Sequence, residues 1–334
     1  MRSVAPKVVS SANKMLIVLL LHLFIICNEA QDILFGQKKY TEYQVGNMNL
    51  IITVPHGGSI QPSEIPSRDA GCWDKVTSTC IYTHSCPSGT AKDSVNCKVT
   101  TVKDLYTLEL ALTLAKEICN LTSGLCPHII INHLSRTKLD PNRDKEEASF
   151  GVPQAEQAWN EFMDFIHMAK SNISKGLLID IHGQSHPEQW IELGYTISRA
   201  NLDSSKFSAK DSSTYSLSND LYNVPFETLL RGNRSFGKFI EEQNQKYVCV
   251  PSPTNPGPNG GNYFSGGYII QTHGSKSHGK VDAIQIELPK WIREIDERPR
   301  FCAALAKAIK NFFQSNYENS EIMNQKSLKT KIPK

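Results

Sequence analysis

Four aliphatic runs, each ending in polar residues, constrain what this 334-residue chain can fold into more than any other feature. They are LIITVPHGG at 50–58, HIIINHLSR at 128–136, GLLIDIHGQ at 176–184 and VDAIQIELP at 281–289. Near-continuous Ile, Leu and Val suit strands buried on both faces, as in a sheet covered by helices. Between the runs the spacing predicts helices. Residues 103–118 place Leu105, Leu108, Leu112 and Ala115 on one stripe. Residues 153–170 start at Pro153, a favoured first helical residue, and carry Ala155, Ala158, Trp159, Phe162, Phe165, Ile166 and Ala169 at helical spacing. Residues 300–313 repeat the pattern with Phe301, Leu305, Ile309 and Phe312. Strands alternating with helices imply an α/β fold whose sheet is mixed and mainly parallel. Three stretches read as irregular: a cysteine-rich insert at 68–98, a polar segment at 200–220, and the Pro/Gly-dense 251–268, expected to be a long ordered loop. No internal repeat or linker interrupts the chain.

Residues 15–27, MLIVLLLHLFIIC, follow Lys7 and Lys14 and precede NEAQD. This run is shorter than the roughly 20 residues of a membrane span and has the shape of a secretory signal peptide over 1–30. A single α/β domain is expected over 31–318, followed by a polar basic tail at 319–334. Removing Arg2, Lys7, Lys14 and Glu29 with the signal lowers the formal charge from +3 to +1. Such a balance gives no support for nucleic-acid binding, which needs a strongly basic surface.

Secretion agrees with the cysteines. Outside Cys27 there are eight, Cys72, Cys80, Cys86, Cys97, Cys119, Cys126, Cys249 and Cys302, and an even number in a secreted chain implies disulfides. Four fall in the insert, where the absence of paired C-x-x-C units argues against a zinc ribbon. Sequons at Asn120, Asn172 and Asn233 are candidate glycosylation sites.

In an open α/β sheet, ligands gather at the carboxyl ends of the strands. Those ends carry His56, Ser135 and Arg136, His182 and Glu287. His56 precedes Gly57 and Gly58, and His182 precedes Gly183; glycine lets backbone and ligand come close. Two imidazoles and a carboxylate make a zinc shell with a position left for water. Asp104 is the preferred carboxylate, although it also fits the acidic third position of a helix start, and Glu64 is its rival. Asp180 shares a face with His182 and suits orienting a histidine from behind. Arg136, Asn142 and Arg143 supply groups that bind carboxylates and carbonyls, whereas Lys138 and Asp144 read as ordinary surface charges. Glu287 shares a face with Ala283 and Gln285 and has the chemistry of a general base, unless it is a solvent-facing residue of an edge strand. Tyr263, Tyr268 and His273 are further candidates to line a pocket.

VPHGG, LSRTKLDPNR, IDIHGQ and AIQIELPK, in this order, resemble the N-formylglutamate amidohydrolase-like family, which is similar in outline to zinc carboxypeptidases and acylamino-acid deacylases. The resemblance spans most of residues 48–293. It implies a zinc carboxypeptidase-like, phosphorylase/hydrolase-like fold binding Zn2+. It also implies His56 and His182 as ligands, Asn142 and Arg143 on a substrate carboxylate, and Glu287 as base. The carboxypeptidases place Glu three residues after the first His; here position 59 is Ser, which leaves Asp104 and Glu64 as the alternatives for the third ligand. A secreted hydrolase acting on a small carboxylate-bearing amide or peptide is the activity implied. A secreted extracellular-matrix glycoprotein, mineralised matrix included, using the same fold without catalysis is the alternative. A metal-free carboxylate-binding module is a third.

Overall fold

A computed structural model describes residues 31–277 and 279–317. The expected signal peptide and basic tail lie outside the described residues. Eight strands form the main sheet: β1 (Ile33–Phe35), β2 (Thr41–Gln44), β3 (Leu50–Val54), β7 (His128–Asn132), β8 (Gly176–Gln184), β9 (Ile191–Gly194), β10 (Cys249–Val250) and β11 (Val281–Pro289). The intervening β4 (Cys72–Asp74), β5 (Thr79–Ile81) and β6 (Thr90–Lys92) make a small separate sheet.

The main sheet runs β1-β2-β7-β3-β8-β11-β9-β10. The four aliphatic runs are its centre: β7, β3, β8 and β11 lie side by side and parallel. Antiparallel pairing joins β2 to β7 and β9 to β11. The sheet is therefore mixed and mainly parallel, as its sequence implies.

Side chains alternate along a strand, so each central strand feeds two cores. Leu50, Ile52, Leu177, Ile179, Ile284 and Ile286 pack against helix α1 (Thr107–Leu121) and helix α3 (Arg298–Tyr317). Ile51, Ile130, Leu178 and Ala283 pack on the opposite face against Phe162, Phe165 and Ile166 of helix α2 (Pro153–Ser171). Burying each such Leu, Ile or Phe contributes about 1.5–3 kcal/mol. On the α2 face the strands turn polar toward their carboxyl ends. Ile51 gives way to Thr53, Leu178 to Asp180 and His182, and Ala283 to Gln285 and Glu287, all of them buried. β11 is an interior strand, so Glu287 is no solvent-facing edge residue.

Several expectations need correction. Helix α1 begins at Thr107 rather than 103, because Tyr106 is left-handed (φ 67°) and the Asp104 N–H donates to the His56 carbonyl at 3.2 Å. Its buried stripe is Leu110, Ala111, Leu114 and Ile118, while Leu105 and Leu112 are exposed. The segment is rich enough in Leu to offer two stripes, and packing against α3 selects one. The insert is the three-stranded antiparallel sheet β5-β4-β6, fastened by Cys72–Cys86 and Cys80–Cys97. Cys119–Cys126 closes the end of α1, and Cys249 and Cys302 are buried and unpaired, so six of the eight cysteines are bridged. Three disulfides are the chemistry of an oxidising compartment. Short helices at Arg199–Ser204 and Tyr215–Asp220 occupy the polar segment. The 251–268 stretch is the loop expected of it, held where Asp203 accepts from the backbone of Asn259 and Gly260 and Glu188 from that of Asn262. Among the described residues no helix is long and apolar enough to cross a membrane.

Candidate metal centre

The carboxyl ends of the parallel strands open into a cavity of about 500 Å³ lined by His56, Asp104, Arg136, Asn142, Arg143, His182 and Glu287. Residues 251–268 roof it with Tyr263 to Gly267, whereas Tyr268 does not line it and His273 is buried against Met163. Glu64 lies apart, on the Tyr40 hydroxyl at 2.7 Å.

Three atoms converge in the cavity. His56 Nδ1 lies 3.0 Å from His182 Nδ1, and each is 3.2 Å from the same Asp104 oxygen, Oδ2. The other nitrogen of each ring is held from behind: His56 Nε2 by Asp140 at 2.6 Å and His182 Nε2 by Asp180 at 2.7 Å. Asp180 also accepts from the Thr53 hydroxyl at 2.7 Å. Asp140 is acceptor to the Asn142 N–H and to Arg136 Nε at 2.9 Å. A carboxylate on one imidazole nitrogen places the proton there and leaves the lone pair on the other. Two such lone pairs and a carboxylate oxygen, packed within 3.2 Å of one another, repel unless a proton or a metal cation lies among them. Tetrahedral zinc, with bonds of about 2.0–2.2 Å to N and O, keeps its ligands roughly this far apart. The donor set fits zinc.

Electrostatics follow the same geometry. Burial opposes charge on His182, yet Asp180 and Asp104 hold it well above its ordinary value. Burial also works against ionised Asp104 and Asp140; His56 and His182 keep the first low, and His56 with Arg136 the second. Glu287 is pushed up to about 8 by burial, with Asp104 and Glu192 adding to the rise.

The glycines flanking the two histidines make room for protein rather than for ligand. A Cβ on Gly58 would lie 2.3 Å from the His133 backbone, and one on Gly183 would lie 2.5 Å from the Arg293 guanidinium. The Gly183 N–H, kept accessible, donates to Asp104 Oδ2 at 3.1 Å. Asp104 is thus no helix cap; its carboxylate is fixed from three sides.

Sheet register sets the remaining spacings. Thr53, Asp180 and Gln285 pair across β3, β8 and β11, and one step further His182, Glu287 and Glu192 pair across β8, β11 and β9. The first row orients the second: Asp180 holds His182, and Gln285 Nε2 donates to Glu287 Oε1 at 2.8 Å.

Arg136 turns inward to Asp140, with a second approach to Asp104 at 3.5 Å. The Asn142 amide oxygen accepts from the Ile269 N–H at 2.9 Å. Arg143 is the partly exposed cation of the set, paired with Glu147 at 3.1 Å. Lys138 is buried on the Ile65 carbonyl, and Asp144 caps the short helix Lys145–Ser149. Asn120, Asn172 and Asn233 are all exposed. Sequence reasoning missed Asp140, although its place four residues after Arg136 was a signal, and also missed His186 and Glu192, which touch each other at 2.7 Å.

No family model matches the sequence, and no curated protein matches it. Solved structures do resemble the fold. One is a gene product of Agrobacterium tumefaciens, 11% identical, with a TM-score of 0.47 over 84% of this chain and 98% of that one. Another is the N-formylglutamate amidohydrolase of Ralstonia eutropha, 10% identical, with a TM-score of 0.44 over 86% and 98%. An N-acetylmuramyl-L-alanine amidase of Mycobacterium smegmatis is 11% identical, with a TM-score of 0.35 over 81% and 99%.

Proposed function

We propose that the chain is a secreted zinc-dependent amidohydrolase that cleaves an amide bond close to a substrate carboxylate. The observation that carries this reading is the convergence of His56 Nδ1, His182 Nδ1 and Asp104 Oδ2, with both imidazoles backed by buried carboxylates. Zinc held there supplies Lewis acidity for a carbonyl and acidifies water. Glu287, one strand from His182 at the same level, takes the proton of the attacking water. Arg143, the partly exposed cation at the cavity, binds the substrate carboxylate and so orients the bond. Asn142 and Arg136 shape the wall behind it.

Elemental analysis of the purified protein tests the reading. Near-stoichiometric zinc is expected in wild type, a loss to background in His182→Ala, and a 10- to 100-fold weaker affinity in Asp180→Asn, where the orienting carboxylate is lost. Wild-type protein that holds no zinc after resupply refutes the metalloenzyme and leaves a non-catalytic extracellular role.

A further inference from the structure

A second imidazole–carboxylate pair faces the same cavity and is not part of the group of three converging ligand atoms. His186 Nδ1 pairs with Glu192 Oε1 at 2.7 Å, and Glu192 Oε2 accepts from the Phe264 N–H at 2.7 Å. Glu192 is wholly buried, while the His186 side chain is 22% exposed and lines the cavity. Its ring is fixed a second time by stacking on Phe264, with centroids 4.7 Å apart. With Nδ1 committed, Nε2 is the nitrogen left for a ligand. A buried carboxylate on one ring nitrogen is the device that orients an imidazole and supports the imidazolium when the other nitrogen handles a proton.

Register locates this pair relative to the centre. His182, Glu287 and Glu192 stand on three neighbouring strands at one level, each about 4.8 Å from the next. A scissile amide lying over Glu287 with its carbonyl toward His182 has its nitrogen toward the Glu192 side, where His186 stands. Resting on the amidohydrolase reading, we propose that His186, held by Glu192, is a catalytic proton donor to the leaving nitrogen. The carbon–oxygen bond to water forms and Glu287 takes the proton of that water. The carbon–nitrogen bond then breaks, its electron pair going to nitrogen, which takes the Nε2 proton of His186. Glu287 returns its proton to solvent and His186 regains one from solvent, so the net change is amide plus water to acid plus amine.

Matched compounds test it: N-acyl-4-aminobenzoates and O-acyl-4-hydroxybenzoates, formyl to succinyl, alike in carboxylate and shape. The phenolate leaves without a proton; the amine does not. With zinc-loaded protein, His186→Gln is expected to lower kcat for the amide by about 100-fold or more, and to raise the ester-to-amide ratio accordingly. KM and zinc content should stay near wild type, and Glu192→Gln should shift the ratio in the same direction. Equal loss on amide and ester, a change in KM alone, or no change overturns the role of His186 while leaving the hydrolase intact. Zinc-loaded wild type that cleaves neither series overturns both.

Discussion

The Gly46 N–H can only donate, and it meets Nδ1 of buried His128 at 3.0 Å, with the Tyr43 hydroxyl on the same nitrogen at 2.7 Å. That nitrogen must accept, so the ring is neutral, and burial lowers its pKa from 6.5 to about 4. The unfolded chain therefore takes up a proton at His128 before the folded one does. Stability falls as pH drops below 6.5 and levels near 4, with about 2 kcal/mol lost between pH 7.5 and 5. His128→Asn, which keeps an acceptor at the Nδ1 position, should remove that part of the loss in urea titrations at the two pH values. Equal losses in wild type and variant would refute the assignment. At this scale the sequence showed residue types but not partners. Asp180 beside His182 was legible from strand alternation. Asp140 behind His56, 84 positions away, and His186 on Glu192 were not, because each depends on where a loop lands.

Long apolar patterns carried the elements. β8 and β11 match their aliphatic runs at both ends, and α2 runs from Pro153 as its pattern implies. Short pieces such as β9 and β10, four and two residues long, have no periodicity to read and exist because longer strands offer them an edge. Helix α3 shows how much an element depends on packing. Phe312 is 1% exposed, with its ring centroid 5.2 Å from that of Phe236 and 6.0 Å from that of Tyr317. Phe312→Ala should cost about 3–5 kcal/mol by leaving a cavity. The folded fraction should bind zinc to the same extent as wild type, since this core lies on the sheet face opposite Asp180 and His182. A loss below about 1 kcal/mol in unfolding free energy, read from denaturant titration, would show that the surroundings collapse to fill the gap.

Across the whole molecule the insert and the main sheet draw stability from different sources. The insert buries little besides Cys72 and Cys97 and depends on two overlapping crosslinks of 14 and 17 residues' separation, each worth about 3 kcal/mol by loop closure. Replacing Cys72 and Cys86 by Ser should open residues 71–97 to limited proteolysis while zinc content and the main sheet persist. Cleavage spread through β7, β8 and β11 would show instead that the two sheets unfold together. Cysteine spacing foretold a bridged insert but not its pairing, because connectivity is fixed by which strands meet.

Because His182, Glu287 and Glu192 occupy one level of three adjacent strands, the distances between them are graduations of a ruler ruled by peptide hydrogen bonds. A strand cannot slide by a fraction of a residue, and a slip of one turns each side chain to the wrong face. The backbone spacing of the three is thus quantised, and what the roof at 251–268 adjusts, through the Phe264 N–H on Glu192 and the Phe264 ring on His186, is the aim of side chains. Changes in that loop can retune which molecule enters and how His186 is held, while the strands beneath keep their measure.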